Sequence, residues 1–599
     1  MPQPPIGDYA LVGDTRSAGL ISKSGSLDWM CVPKFDSPPL FETLVDQKSG
    51  GYFSITYDEL ASTKRRYLEG SSVLETNIAT STGTALLREG MIANVDGALL
   101  PQSLLVRHLE CVSGDVNVAV HFDPRKGLPG QSPERIRRSP RGVICEWGSL
   151  ALSIASAPDI GIEPGKTVSA QLKAGKSLTF MMSVADRRPI VWVSADMANK
   201  LLDETDQWWR RWSLALDYDG PFKEAVVRSL ITLRLLTYSP SGAPVAAATT
   251  SLPEALGGTR NWDYRYSWPR DASIGLAGFL ATGYVGLARS FMYWLLHASR
   301  LSRPRLRVLY DVHGKPSPDE TELHVSGYRD SQPVRVGNGA RDQHQLDVYG
   351  WVADAAWLLE ESGNLLHSET WRAVAGFADF VAQSWSQPDA GIWEVRRKPA
   401  HYVHSKLMAW LTLDRISRMA LRHHVRADRV RNWEVNRDQV AAWIRSHGVD
   451  RTRNTLVWKA GSDELDASLL ILPVLGFEAD DSPLIEGTIQ AVRDELEVEE
   501  GLLHRYRRQT DGLEGDEGAF LPCSFWLVQA LARSGRSAEA TGMFERLLSY
   551  ANDVGLFAEE LDPITKEQLG NFPQAFTHAT VVQAGLALQS AMKTEGLAP

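Results

Sequence analysis

The feature that most restricts this chain is a change of periodicity near residue 195, followed by helices whose connections alternate in length. Val116, Val118, Val120 and Phe122 alternate with Asn117, Ala119 and His121, the period-2 pattern of a strand buried on one face. Leu104 to Val112 reads as a second strand, with Ser113-Gly114-Asp115 between them as a hairpin turn. Short apolar runs broken by turn residues recur across residues 1–194, which predicts an N-terminal antiparallel β-sandwich. Ala195 to Leu214 is Trp-rich and helical in pattern, a linker helix within 195–220. Residues 221–599 then read as twelve helices: 221–237, 272–282, 285–299, 343–361, 368–385, 405–423, 434–447, 466–475, 482–496, 519–533, 537–550 and 577–592. Ser482 before Pro483 is an N-cap with proline at the first helical position, and Gly535 stops the helix before it. The links at 283, 362–367, 476–481 and 534–536 are short, and 424–433 is intermediate. Six others are long: 238–271, 300–342, 386–404, 448–465, 497–518 and 551–576. In a toroid of six helical hairpins every second connection lies on one face, so all six long loops gather there. That is where function sits on a rigid scaffold. The alternation depends on dividing 272–299 at Gly283.

The totals exclude several classes of function. A chain of 599 residues with 43% apolar and 23% charged residues is globular and long enough for two large domains. Its net charge of −10 speaks against nucleic acid or a membrane surface as partner. Cys31, Cys111, Cys145 and Cys523 are too scattered for a disulfide framework or a zinc site, which suits a reducing compartment. The first residues hold no basic segment followed by an apolar run, and no stretch reaches about 18 apolar residues. A cytoplasmic protein without membrane span, metal or cofactor is expected; whether it forms a homodimer is left open. The nineteen tryptophans serve either large cores or sugar-stacking platforms, depending on where they fall.

Unusual residues collect in the long loops. The first holds the run from Gly257 to Asp271, in which Tyr264, Trp268, Arg270 and Asp271 interleave aromatics with charges at a helix start. Aromatic faces cover the C–H side of a pyranose while Arg and Asp bind its hydroxyls. An isolated Arg-Asp pair would be an N-cap and its surface neighbour; within this loop the sugar-binding reading is preferred. The segment Ala390-Gly391-Ile392-Trp393-Glu394 and the segment Gly555 to Pro563, with Glu559 and Glu560, each bring a carboxylate to the same face. Glycoside hydrolysis needs two carboxyl groups flanking the scissile bond. An indole such as Trp393 beside Glu394 would raise its pKa by desolvation. Spacing alone does not select two residues from 73 acidic ones.

Resemblance selects them. Ile6-Gly7-Asp8-Tyr9, Gly25 to Trp29, Asn261 to Asp271, Gly327 to Ser331, Gly391 to Glu394, Val403 to Lys406, Glu517 to Phe520, the Glu559 segment and Asn571 to Gln574 occur in this order. In them the chain resembles glycoside hydrolase family 15, the glucoamylase, glucodextranase and trehalase family, over nearly its whole length. The resemblance implies a β-sandwich, a linker and an (α/α)6 barrel. It implies Glu394 as general acid and Glu559 as general base of an inverting α-glucoside hydrolase. Tyr264, Trp268, Arg270, Asp271 and Trp393 are implied at the terminal glucose, with Glu560 behind the base and its rival for the role. The implied partner is a small carbohydrate: trehalose or a short malto- or isomalto-oligosaccharide.

Three departures from the family pattern stand out: Trp351 where relatives often carry Glu, Arg396-Arg397-Lys398 in a stretch that is usually glycine-containing, and Arg505, Arg507 and Arg508 together in one long loop. They are either solvated rim charges or an anion site on the catalytic face. The second option would make the substrate an acidic or phosphorylated α-glycoside. A sugar-binding protein on a retired hydrolase scaffold is the alternative from another class, and the presence of both carboxylates argues against it. A glycoside phosphorylase is disfavoured by the retained Glu559, since a phosphate nucleophile needs no base.

Overall fold

In a computed structural model, residues 3–93, 102–507 and 511–596 are described. The N-terminal part is one fourteen-stranded antiparallel sheet folded about a single strand, Ser103–Asp123. The expected hairpin at 113–115 is absent: the two predicted strands are one, bent at Gly114. That residue has φ of +65°, and a Cβ there would lie 2.1 Å from the Thr82 carbonyl oxygen. The turn residues therefore make a bend inside a strand. One half of the strand pairs with Gly83–Met91 and Ser177–Asp186, the other with Tyr52–Tyr57 and Thr167–Lys173. Side chains from both sections share one core, where Phe53 meets Phe122 and Phe180 edge to face at 5.4 and 5.7 Å.

Helix α1 (Ala195–Leu214) follows, capped by Ser194, then α2 (Lys223–Leu235), α3 (Pro269–Ala281), α4 (Val285–Ala298), α5 (Asp347–Glu361) and α6 (Ser368–Ser384). Next come α7 (Val403–Ala420), α8 (Ala427–His447), a 3-10 turn (Ala467–Ile471) running into α9 (Leu472–Leu475), and α10 (Pro483–Leu496). The last are α11 (Leu521–Arg533), α12 (Ser537–Leu548) and α13 (Ala575–Thr594). Ser482 caps α10 as expected. Apart from α8, every start lies within about four residues of the sequence reading, and three of the differences have a local reason. α3 begins at Pro269, because proline fits the first turn and its fixed φ favours the helix. α8 begins seven residues early, in a charged, mostly exposed turn without an apolar stripe to reveal it. The 466–475 helix is mostly 3-10, since Pro473 lacks the N–H an α ladder needs there.

Packing runs in a circuit. α3 lies on α5, α5 on α7, α7 on the 3-10 turn, that turn and α9 on α11, α11 on α13, and α13 back on α3. Outside it, α4 packs on α3 and α5, α6 on α5 and α7, α12 on α11 and α13, and α2 on α13 and α3. With α8 starting at 427, the link 421–426 joins the short ones, and short and long connections alternate throughout.

The β-part braces the first long loop. Trp29 donates its indole N–H to the Ala248 carbonyl at 2.8 Å. Arg265, fully buried, forks onto Asp263 at 2.8 and 2.7 Å and donates to the Ser37 carbonyl at 3.2 Å. Arg65 likewise grips Asp553 twice at 2.8 Å. Cys31, Cys111, Cys145 and Cys523 are all free and buried. No described helix is long and apolar enough to cross a membrane.

Candidate active site

The loop end of the helices holds a pocket of about 670 Å³, open at one side. It is lined from five of the six long loops: Tyr264, Trp268, Arg270 and Asp271 from the first, Asn338 from the second, Trp393, Glu394 and Arg396 from the third, Arg505 and Leu513 from the fifth, Glu559 and Gln574 from the last. Of the described remainder, the fourth loop supports it from behind. Trp458 stacks on Tyr506 at 5.4 Å, and Asp466 accepts from the Trp393 indole at 2.8 Å.

Tyr264 and Trp268 organise the two carboxylates. Their rings meet edge to face at 5.5 Å. The Tyr264 hydroxyl donates to Glu559 Oε1 at 2.8 Å, and the Trp268 indole donates to Glu394 Oε1 at 2.8 Å. The indole that meets Glu394 is therefore Trp268. Trp393, expected in that role, turns its N–H to Asp466.

Glu394 sits in a tight turn in which its own N–H donates to the Gly391 carbonyl and Val395 N–H to the Ala390 carbonyl. The turn holds Glu394 at φ of +57°, a strained conformation for a residue with a Cβ. Gly391 is required as well: a Cβ would press to 2.9 Å from the Tyr402 ring. Arg270 packs beneath, with Nε on Asp271 Oδ1 at 2.7 Å, Nη1 on the Ile392 carbonyl at 2.9 Å, and Nη2 3.6 Å from Glu394 Oε1. Burial raises the Glu394 pKa; Arg270 and the indole hydrogen bond oppose the shift, and Asp271 adds to it.

Glu559 immediately precedes the short strand Glu560–Leu561, and the two glutamates face opposite ways, as neighbours along an extended chain do. Glu559 meets Tyr264; Glu560 accepts from Gly518 N–H at 2.7 Å and lies 3.4 Å from Arg505. Glu559 Oε2 is buried and has no hydrogen-bond partner among the described residues. Gly570 leaves room for that carboxylate, since a Cβ would lie 2.8 Å from Oε2. Burial raises Glu559 and the Glu254 charge adds to this; Arg505, the Tyr264 hydrogen bond and the nearby Asn571 backbone N–H, which is too poorly aligned to count as a partner of Oε2, oppose it.

Behind Glu559 lies a charge cluster that sequence reading missed. Oxygens of Glu254, Glu517 and Glu560 lie within 4.8 Å of one another, all buried. Such a triad could hold a cation, and Arg505 Nη2 takes that position: it lies 3.0 Å from Glu254, bonds Glu517 and stands 3.4 Å from Glu560. Arg260 adds a second guanidinium, 3.0 Å from Glu517 and 2.9 Å from Asp511. Arg505 is thus engaged by carboxylates rather than presented to an anion. Arg507 pairs with Glu495, Arg396 pairs with Glu320, and Arg508 lies outside the described residues. Trp351 is buried in α5 and does not line the pocket. Glu254 carried no motif of its own; only the fold brings position 254 beside 505 and 517.

In backbone course the chain is glucoamylase-like. It matches a crystal structure of a bacterial glucoamylase complexed with acarbose over 100% of this chain and 95% of that one, with a TM-score of 0.72 and 12% identity, a likeness of fold. The sequence model for glycosyl hydrolases family 15 matches residues 220–586, and that for a trehalase-like N-terminal region matches residues 2–162. A trehalase of Mycolicibacterium smegmatis is 36% identical over 97% of this chain and 91% of its own length. A trehalase of Thermoplasma acidophilum is 34% identical over 96% and 98%. The chain belongs to glycosyl hydrolases family 15.

Proposed function

We propose that the chain hydrolyses trehalose with inversion, using Glu394 as general acid and Glu559 as general base. The observation that carries this reading is the division of labour at the Tyr264–Trp268 pair, each ring holding one carboxylate on a shared pocket. Glu394, raised by burial, gives its proton to the glycosidic oxygen as the C1–O bond breaks. Glu559 takes a proton from the water that attacks C1 from the opposite side. Its unpartnered Oε2 is the acceptor free for that water. Arg270, Asp271, Trp268 and Trp393 grip the terminal glucose at the pocket's inner end, and Glu560 steadies Arg505 behind the base. The scaffold in this reading is a β-sandwich over 1–194, a linker over 195–220 and an (α/α)6 barrel over 221–599, in keeping with the closed helix circuit. Four unpaired cysteines suit the cytoplasm. The relatives named trehalase favour that disaccharide over malto-oligosaccharides. An acidic or phosphorylated substrate is disfavoured, because the loop arginines at 396, 505 and 507 are ion-paired.

The test is proton NMR of the first product. Inversion at one C1 of trehalose releases equal α- and β-glucose, since the leaving glucose keeps its α bond. Retention would release α-glucose alone, and no turnover would end the trehalase reading.

Tyr264→Phe tests the base. The phenol favours the ionised carboxylate, so its loss raises the Glu559 pKa. Deprotonated base then requires higher pH. The acidic limb of kcat/KM moves up, activity on the acid side falls about 10- to 100-fold, and the alkaline limb stays. An unmoved acidic limb would remove Glu559 from the role.

A further inference from the structure

We propose that Arg396 reads the second sugar, bonding the hydroxyls of the leaving glucose and closing the site to chains longer than a disaccharide. This deepens the hydrolase reading and rests on it. Side-chain exposure rises from Arg270 and Asp271 through Glu394 to Arg396, at 8%, 10%, 22% and 33%, as expected of a wall running from the inner end toward solvent. The terminal glucose fills the inner end, so the group expelled past the acid leaves toward the mouth. Arg396 stands there, two residues beyond the acid on the same segment, among the pocket-lining side chains.

The guanidinium is held in place. Nη1 and Nη2 lie 3.2 and 2.9 Å from the two Glu320 oxygens, and its plane centre is 4.6 Å from the Trp262 ring. Glu320 is itself fixed by Gly339 N–H at 2.8 Å, and Arg335 lies 3.6 Å from it. A held fork loses little freedom on binding. Glu320 engages two of its five N–H groups and offsets part of its charge. The remaining donors match the hydroxyls of a sugar. On that side Leu513 of the fifth loop also lines the pocket, and Arg397 packs against Gly512.

The experiment compares wild type, Arg396→Gly and Arg396→Lys on trehalose, maltopentaose and α-glucosyl fluoride, whose leaving group is too small to reach Arg396. For Arg396→Gly, KM for trehalose rises about 10- to 100-fold, the worth of a hydrogen bond to a charged group. Loss on the fluoride stays within about threefold, and the preference for maltopentaose over trehalose grows by about tenfold or more. Arg396→Lys recovers part of the trehalose activity. Equal losses on trehalose and fluoride, or an unchanged preference, overturn the assignment while leaving the hydrolase reading intact. A wild type silent on all three substrates removes both.

Discussion

Glu394→Gln lowers kcat on trehalose by about 10²- to 10⁴-fold, the span that general acid assistance supplies, while sparing α-glucosyl fluoride. Fluoride departs without a proton, so the gap between the two substrates reports the acid's contribution alone. On the proposed roles the alkaline limb of the wild-type pH profile follows loss of the Glu394 proton, which burial shifts upward. In the glutamine variant the limb disappears. Equal losses on both substrates would show a positioning role instead, through the hydrogen bond from Trp268.

Arg505→Met destabilises the protein by about 3–5 kcal/mol, the cost of removing one partner from a buried ionic cluster. Arg505 is 9% exposed at its side chain, so solvent does little to screen the carboxylates left behind. Glu254, Glu517 and Glu560 would then face one another with Arg260 as the remaining guanidinium of the cluster. Adding Glu517→Gln removes one of the repelling charges and recovers part of the loss. Both variants are read by denaturant unfolding followed by circular dichroism. An unchanged midpoint for the single variant would mean that the cluster is held by protons rather than by Arg505.

Much of the scaffold was legible because it follows local rules. Period-2 alternation marked the β-part, and the Ser482-Pro483 and Gly535 signals marked helix ends. Where the reading slipped, two local devices competed for the same residues. Gly114 reads as a turn by composition yet bends a continuous strand, and the charged first turn of α8 has no apolar stripe. The site was less legible. Glu394 and Glu559 were picked out by resemblance; the structure adds that Tyr264 and Trp268, one turn of sequence apart, reach them from opposite ends of a ring pair. The Trp268-for-Trp393 exchange at Glu394 depends on side-chain direction, which spacing does not encode. The Glu254–Arg505–Glu517 cluster joins positions some 250 residues apart, and no local pattern marks such a meeting.

The bond between Tyr264 and Glu559 spans 295 positions, and this sets a timetable for synthesis. At roughly 5–20 residues per second, those positions take roughly 15–60 s to emerge from a ribosome. During that interval α3 waits for α13, and the seam between them is bare apolar surface. The β-part is complete by Asp186 and can already hold Arg265 through the Ser37 carbonyl, so the loop bearing Tyr264 has a dock before its distant partner exists. A nascent chain halted before residue 559 holds Glu394 without Glu559. On the proposed roles hydrolysis begins only when the final hairpin arrives, and the open seam is where a chaperone has most to cover.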